Sequence, residues 1–134
     1  MKVVLDTNVL VSGLLSPFPA PGEIVRMTSA CLLELCYDAR ILAEYEAVLH
    51  RPKFDFQKAP ADALLDQIRR TGHSVASEPL KHSLPDVCDE PFLEVAIAGN
   101  VEYLVTGNLK HYPPSHRFGV KVVSPAEFLT HYRK

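Results

Sequence analysis

Acidic and amide side chains stand where hydrophobic runs give way to polar residues or lead into helices. Asp6 closes Val3-Val4-Leu5, Asp86 and Asp89 precede the apolar run Phe92 to Ala98, and Asn108 follows Tyr103-Leu104-Val105-Thr106-Gly107. Glu44 and Glu46 sit in an amphipathic stretch between them. Carboxylates brought into one cleft repel one another and cannot all stay ionised without a cation. Oxygen donors with no histidine or cysteine ligand spacing nearby favour the hard ions Mg²⁺ or Mn²⁺ over zinc. Such ions accept phosphate oxygens, so the expected chemistry is phosphodiester hydrolysis. The competing reading is helix capping, since Asp6 precedes one helix and Asp89, Glu90 and Pro91 open another.

To converge, these residues need a scaffold that gathers strand ends. Val3-Val4-Leu5 shows no apolar/polar alternation, the mark of a strand covered on both faces in a parallel sheet. Further strands are expected at 32–37, 74–76, 101–105 and 120–123. Helices are expected from Val9 to Leu15, Gly22 to Ala30, Ala39 to His50, Ala61 to Arg70, Phe92 to Ala98 and Ala126 to Tyr132. Asp38 and Ser124 are placed as helix starts, and Pro17, Pro19, Pro21 and Gly22 read as a loop at the Asp6 end of the sheet. Alternating strands and helices define a three-layer α/β/α domain with a mainly parallel central sheet. Right-handed crossovers put the strand exits on one edge, where ligands bind in open sheets. Asp6, Asp86, Asp89 and Asn108 gather there. Glu44 and Glu46 lie about 100° to either side of their helix's apolar stripe, so periodicity leaves open which one faces the cleft.

The chain of 134 residues is expected to form a single domain, residues 1–134, large enough to bury roughly two-thirds of its unfolded surface. The amino-terminal apolar run is interrupted by Asp6 and Asn8, unlike a secretory signal, and the expected location is cytoplasmic with no membrane association. No apolar stretch approaches the ~20 residues of a membrane span. Cys31, Cys36 and Cys88 cannot all pair and fit no zinc or redox spacing, so they are expected as reduced core thiols. A net charge of -2 excludes a broad basic surface. Nucleic-acid contacts must then come from local clusters.

Four segments in order resemble one family: hydrophobic-Leu5-Asp6-Thr7-Asn8; Ile41-Leu42-Ala43-Glu44-Tyr45 with Val48-Leu49-His50-Arg51-Pro52-Lys53-Phe54; Asp86-Val87-Cys88-Asp89-Glu90-Pro91-Phe92-Leu93-Glu94-Val95-Ala96; and Tyr103-Leu104-Val105-Thr106-Gly107-Asn108. They are similar to PIN-domain ribonucleases, in the branch of toxin components akin to VapC. The resemblance implies a metal-dependent endoribonuclease using Mg²⁺ or Mn²⁺, the toxin of a toxin–antitoxin pair. It further implies catalytic roles for Asp6, Glu44 and Asp89, and metal ligation by Asp6, Asp86, Asp89 and Asn108. Asn108 falls where many relatives carry an aspartate, so it brings an oxygen without a charge. Thr7, Asn8 and Thr106 would orient the carboxylates. Single-stranded or looped RNA is the implied substrate, with Arg51, Lys53, Lys110 and His111 as candidate phosphate contacts. An antitoxin and a homodimer partner are also implied.

Two other readings compete. A phosphoacceptor receiver domain needs paired acids at the first strand's end and a lysine at the last, whereas Asp6 stands alone and Lys121 lies inside its strand. A catalytically weakened relative, serving as an RNA-binding or protein-interaction module, would lose acids from the cleft. Asn108 is where such loss could begin, while Asp6, Glu44, Asp86 and Asp89 are all retained.

Overall fold

A computed structural model describes residues 1–15, 19–52 and 58–133. In chain order it contains β1 (Lys2–Leu5), α1 (Thr7–Leu14), α2 (Pro19–Ser29), β2 (Glu34–Tyr37), α3 (Ala39–Leu49), α4 (Lys58–Thr71), β3 (His73–Ser74), α5 (Glu90–Ala98), β4 (Tyr103–Val105), β5 (Val122–Val123) and α6 (Pro125–Tyr132). Short 3-10 turns at Val87–Asp89, Leu109–His111 and Pro114–His116 lie between them. The five strands pair in the order β3-β2-β1-β4-β5, all parallel.

Val3, Val4 and Leu5 are each 0% exposed, although neighbouring strand side chains point to opposite faces. Both faces of the sheet are therefore covered, as the three-layer reading requires. The strand order reverses between β1 and β4, the switch point at which a crevice opens beyond the strand ends. Register pairs Leu5 with Val105, so the next residues, Asp6 and Thr106, leave the sheet side by side.

Local chemistry sets the boundaries. The Asp38 carboxylate accepts from the Ile41 amide and starts α3. Ser124 and Glu127 exchange hydrogen bonds in a capping box that starts α6. Pro19, Pro21 and Gly22 belong to the start of α2, which corrects the expected loop; the first turn of a helix tolerates proline because its amide hydrogens lack partners there. Pro17 lies outside the described residues. Strands come out shorter than their hydrophobic runs, because a parallel strand begins only where a neighbour supplies its ladder. Before β2 the chain turns at Cys31, with φ 60°, leaving Leu32 exposed.

Gly13 lets α1 and α2 pack closely. A Cβ there would lie 2.4 Å from Val25 Cγ2 and 2.6 Å from the Pro21 carbonyl oxygen. The cysteines are free, but only Cys36 is buried; Cys31 and Cys88 are exposed, which corrects their expected place in the core. Among the described residues, no helix is long and apolar enough to cross a membrane.

Candidate functional site

Asp6 occupies the N-cap position of α1, yet its side chain makes no capping bond. Its Oδ2 instead accepts from the Thr106 hydroxyl at 2.9 Å and the Tyr112 hydroxyl at 3.2 Å. Thr106 is wholly buried and its oxygen also accepts from the Asn108 amide at 3.0 Å. Asn8 Oδ1 accepts from the Gly107 amide at 2.9 Å, locking the turn after β1 onto the turn after β4. The Tyr45 hydroxyl donates to the Leu5 carbonyl, fixing α3 against the end of β1.

Asp89 repeats the pattern. It precedes α5 without capping it, because the 3-10 turn ahead of it is capped by Asp86, whose Oδ1 accepts from the Cys88 amide at 2.9 Å. The capping alternative therefore holds for Asp86 and fails for Asp6 and Asp89. Asp89 is 8% exposed, and its Oδ2 is buried without a hydrogen-bond partner. His111 Nδ1 stands 2.8 Å from that oxygen, an ion pair when the ring is protonated. Its other nitrogen, Nε2, lies 2.8 Å from Asn108 Nδ2.

Glu44 turns toward this edge, where it accepts from the Thr7 hydroxyl. Glu46 points away and pairs with Arg69 on the surface. Periodicity had left the two equivalent, and tertiary packing separates them.

Electrostatics follow from this crowding. Burial is the main force raising the Asp6 carboxyl above its ordinary value; Thr106 and Tyr112 oppose it and Glu44 adds to it. Asp89 is pushed up to about 6 by burial first and the Asp6 charge second, with Asp86 adding and His111 opposing. The Tyr112 hydroxyl is raised well above its usual range by burial and by Asp6, so it stays protonated as a donor. Two separate carboxyls thus feel each other in a cleft that disfavours their charge, the condition a cation relieves.

The donor atoms of Asp86, Asp89 and His111 lie within 4.8 Å of one another. Asp6 borders this group through its charge on Asp89. Lys110 is exposed in the same 3-10 turn as His111, and Arg51 is exposed just past α3; Lys53 lies outside the described residues. Tyr112 carries no signal in the sequence beyond an aromatic among prolines and histidines. His111 entered only as a phosphate contact.

A cavity of about 460 Å³ lies elsewhere, lined by Leu80, Glu94, Ile97 and Phe118 among others, with none of the acidic cluster. Its buried acid is spoken for: Glu94 accepts from the Leu80 amide and pairs with Arg40 at 2.8 Å. The cluster of Asp86, Asp89 and His111 lies instead at the strand-end crevice.

The family model of the PIN domain matches residues 2–110. The chain belongs to the PIN domain family. Among solved structures it is similar to a chain of VapBC2 from Rickettsia felis, crystallised with a DNA fragment from their promoter. The TM-score is 0.59 at 16% identity, with 92% of this chain and 98% of that one covered. At that identity the likeness is one of fold. No curated protein matches.

Proposed function

We propose that the chain is a divalent-metal-dependent endoribonuclease that hydrolyses RNA phosphodiester bonds and serves as the toxin of a toxin–antitoxin pair. The observation that carries this reading is Asp89: a buried carboxylate next to Asp86 and within the field of Asp6, with only the His111 ring at its inner oxygen. Buried carboxylates crowded together with an imidazole fit a divalent cation. Mg²⁺ or Mn²⁺ would be held by Asp6, Asp86 and Asp89 with Asn108 at the edge, and when bound would supply Lewis acidity toward a phosphate oxygen and a water.

The chain's own residues supply position and charge. Thr106 and Tyr112 hold the Oδ2 end of Asp6 with their hydroxyl protons. Thr7 fixes Glu44, whose carboxylate can take a proton from the attacking water at the cleft wall. Asn8 keeps the two strand-end turns together. Lys110 and Arg51, with Lys53, would contact the phosphate backbone of a single-stranded or looped RNA.

The family and the fold likeness to VapBC2 support the toxin reading, with a partner antitoxin covering the cleft and a homodimer as the working assembly. The expected location is cytoplasmic. One observation favours a weakened, non-cleaving module instead: Asn108 brings no charge, and its amide nitrogen meets His111.

The deciding experiment is cleavage of a generic single-stranded RNA with Mn²⁺ or Mg²⁺ by the wild type, Asp6→Asn and Asp89→Asn, with circular dichroism as the folding control. The nuclease reading expects metal-dependent cleavage lost in both folded variants. Absence of metal-dependent cleavage in the wild type would leave the binding module. Growth arrest relieved by co-expressing the neighbouring reading frame would support the toxin role.

A further inference from the structure

We propose that His111 is a nitrogen ligand of the divalent ion, filling through Nδ1 the coordination position that the uncharged Asn108 leaves weak, with Asn108 behind it as the residue that orients the ring. This rests on the metal-site reading above and adds to it a donor outside the span matched by the family model, which ends at Lys110.

Three observations place His111 there. Its Nδ1 is 2.8 Å from the buried Oδ2 of Asp89. One donor atom from each of Asp86, Asp89 and His111 falls within 4.8 Å of the others, the separation expected of atoms that share one ion. The His111 ring is aimed by the fold: the 3-10 turn Leu109–His111 carries it back over Asn108, and its amide donates to the Asn108 carbonyl at 3.1 Å. Tyr112, next in the chain, anchors the turn by donating to Asp6.

Asn108 gains a purpose in this arrangement. With its Nδ2 against His111 Nε2, the proton of the ring belongs on Nδ1, facing Asp89. Turning the amide over presents Oδ1 to an Nε2–H and frees the Nδ1 lone pair for an ion. A ligating histidine held through its other nitrogen is the usual way a protein fixes tautomer and ring orientation. Adding an imidazole to the carboxylates shifts preference from Mg²⁺, which favours oxygen, toward Mn²⁺ and later transition ions.

The test is Mn²⁺ added to the intact chain and read by electron spin echo envelope modulation, with binding followed by the loss of free-Mn²⁺ signal. The proposal expects a directly coordinated nitrogen in the wild type, replaced by the ¹⁵N pattern on labelling with [¹⁵N]histidine, and absent in His111→Gln. That variant should bind Mn²⁺ about tenfold more weakly, with a smaller loss for Mg²⁺ in competition. Asn108→Ala should keep the nitrogen signal but broaden or weaken it. If His111 only pairs with Asp89, an incoming ion displaces it: the wild type then binds Mn²⁺ with no nitrogen coupling, and His111→Gln binds as tightly or more tightly. That result overturns the role of His111 and leaves the metal site standing. A wild type that binds no Mn²⁺ in an Asp89-dependent way overturns both.

Discussion

The Thr106 hydroxyl donates to Asp6 Oδ2 at 2.9 Å across a separation of 100 residues. This bond joins the exits of the two central strands and opposes the burial that raises the acid at their junction. Thr106→Val keeps the shape and removes the donor. The Asp6 carboxyl should rise further, because Thr106 is the foremost group lowering it. The expected outcome is about tenfold weaker Mn²⁺ binding with an unchanged fold, checked by calorimetric titration beside a circular dichroism spectrum.

The raised carboxyl of Asp89 makes the metal-free protein sensitive to pH in a definite direction. Its folded value, about 6, stands above the ordinary 3.8. Between those values the folded state holds more protons than the unfolded one, so stability falls as pH rises from about 4 to about 6 and then levels. The loss is on the order of 1–3 kcal/mol. Divalent ions should therefore raise the melting temperature at pH 7.5 more than at pH 5. Asp89→Asn should flatten the apo pH profile and abolish the metal shift. Equal metal shifts at both pH values in the wild type would contradict the account.

Glu44 and Glu46 offer a paired comparison on one helix. Glu44 meets Thr7 at the cleft, and Glu46 meets Arg69 on the surface. Glu44→Gln should lower RNA cleavage by about 100-fold or more, as loss of a general base does. Glu46→Gln removes an exposed ion pair and should change stability by less than about 1 kcal/mol with activity intact. Rate measurements at saturating metal distinguish the two.

The packing of α1 on α2 gives a test away from the chemistry. Gly13→Ala places a methyl 2.6 Å from a backbone oxygen that cannot swing aside. Overpacking of this kind costs about 1–3 kcal/mol. Urea unfolding of the variant should show its midpoint lowered accordingly, while a midpoint equal to that of the wild type would mean the helices are not so closely set.

Much of this architecture can be read directly from residues. Val3-Val4-Leu5 without alternation announces a doubly covered strand, and Asp38 and Ser124 announce helix starts, because those signals are local. Pro19, Pro21 and Gly22 misled because proline punctuates both loops and first helical turns, and only the placement of α2 decides which. In the site, Asp6 and Asp89 were legible as acids at element boundaries. Whether each capped its helix was not, since that depends on where one side chain turns. Tyr112 left no trace, because its hydroxyl acts across the fold on Asp6 from a segment without periodicity. His111 was invisible as a partner of Asp86 and Asp89 for the same reason: their proximity exists only once the start of α5 and the turn after β4 come together in the fold.

The most direct measurement is a crystal structure of the protein grown with Mn²⁺ and recorded at a wavelength that reveals manganese anomalously. The account predicts an anomalous peak about 2.1 Å from an Asp89 carboxylate oxygen, with Asp6 reaching the same ion directly or through one water. Manganese bound away from Asp6 and Asp89, or no peak at saturating Mn²⁺, would contradict it.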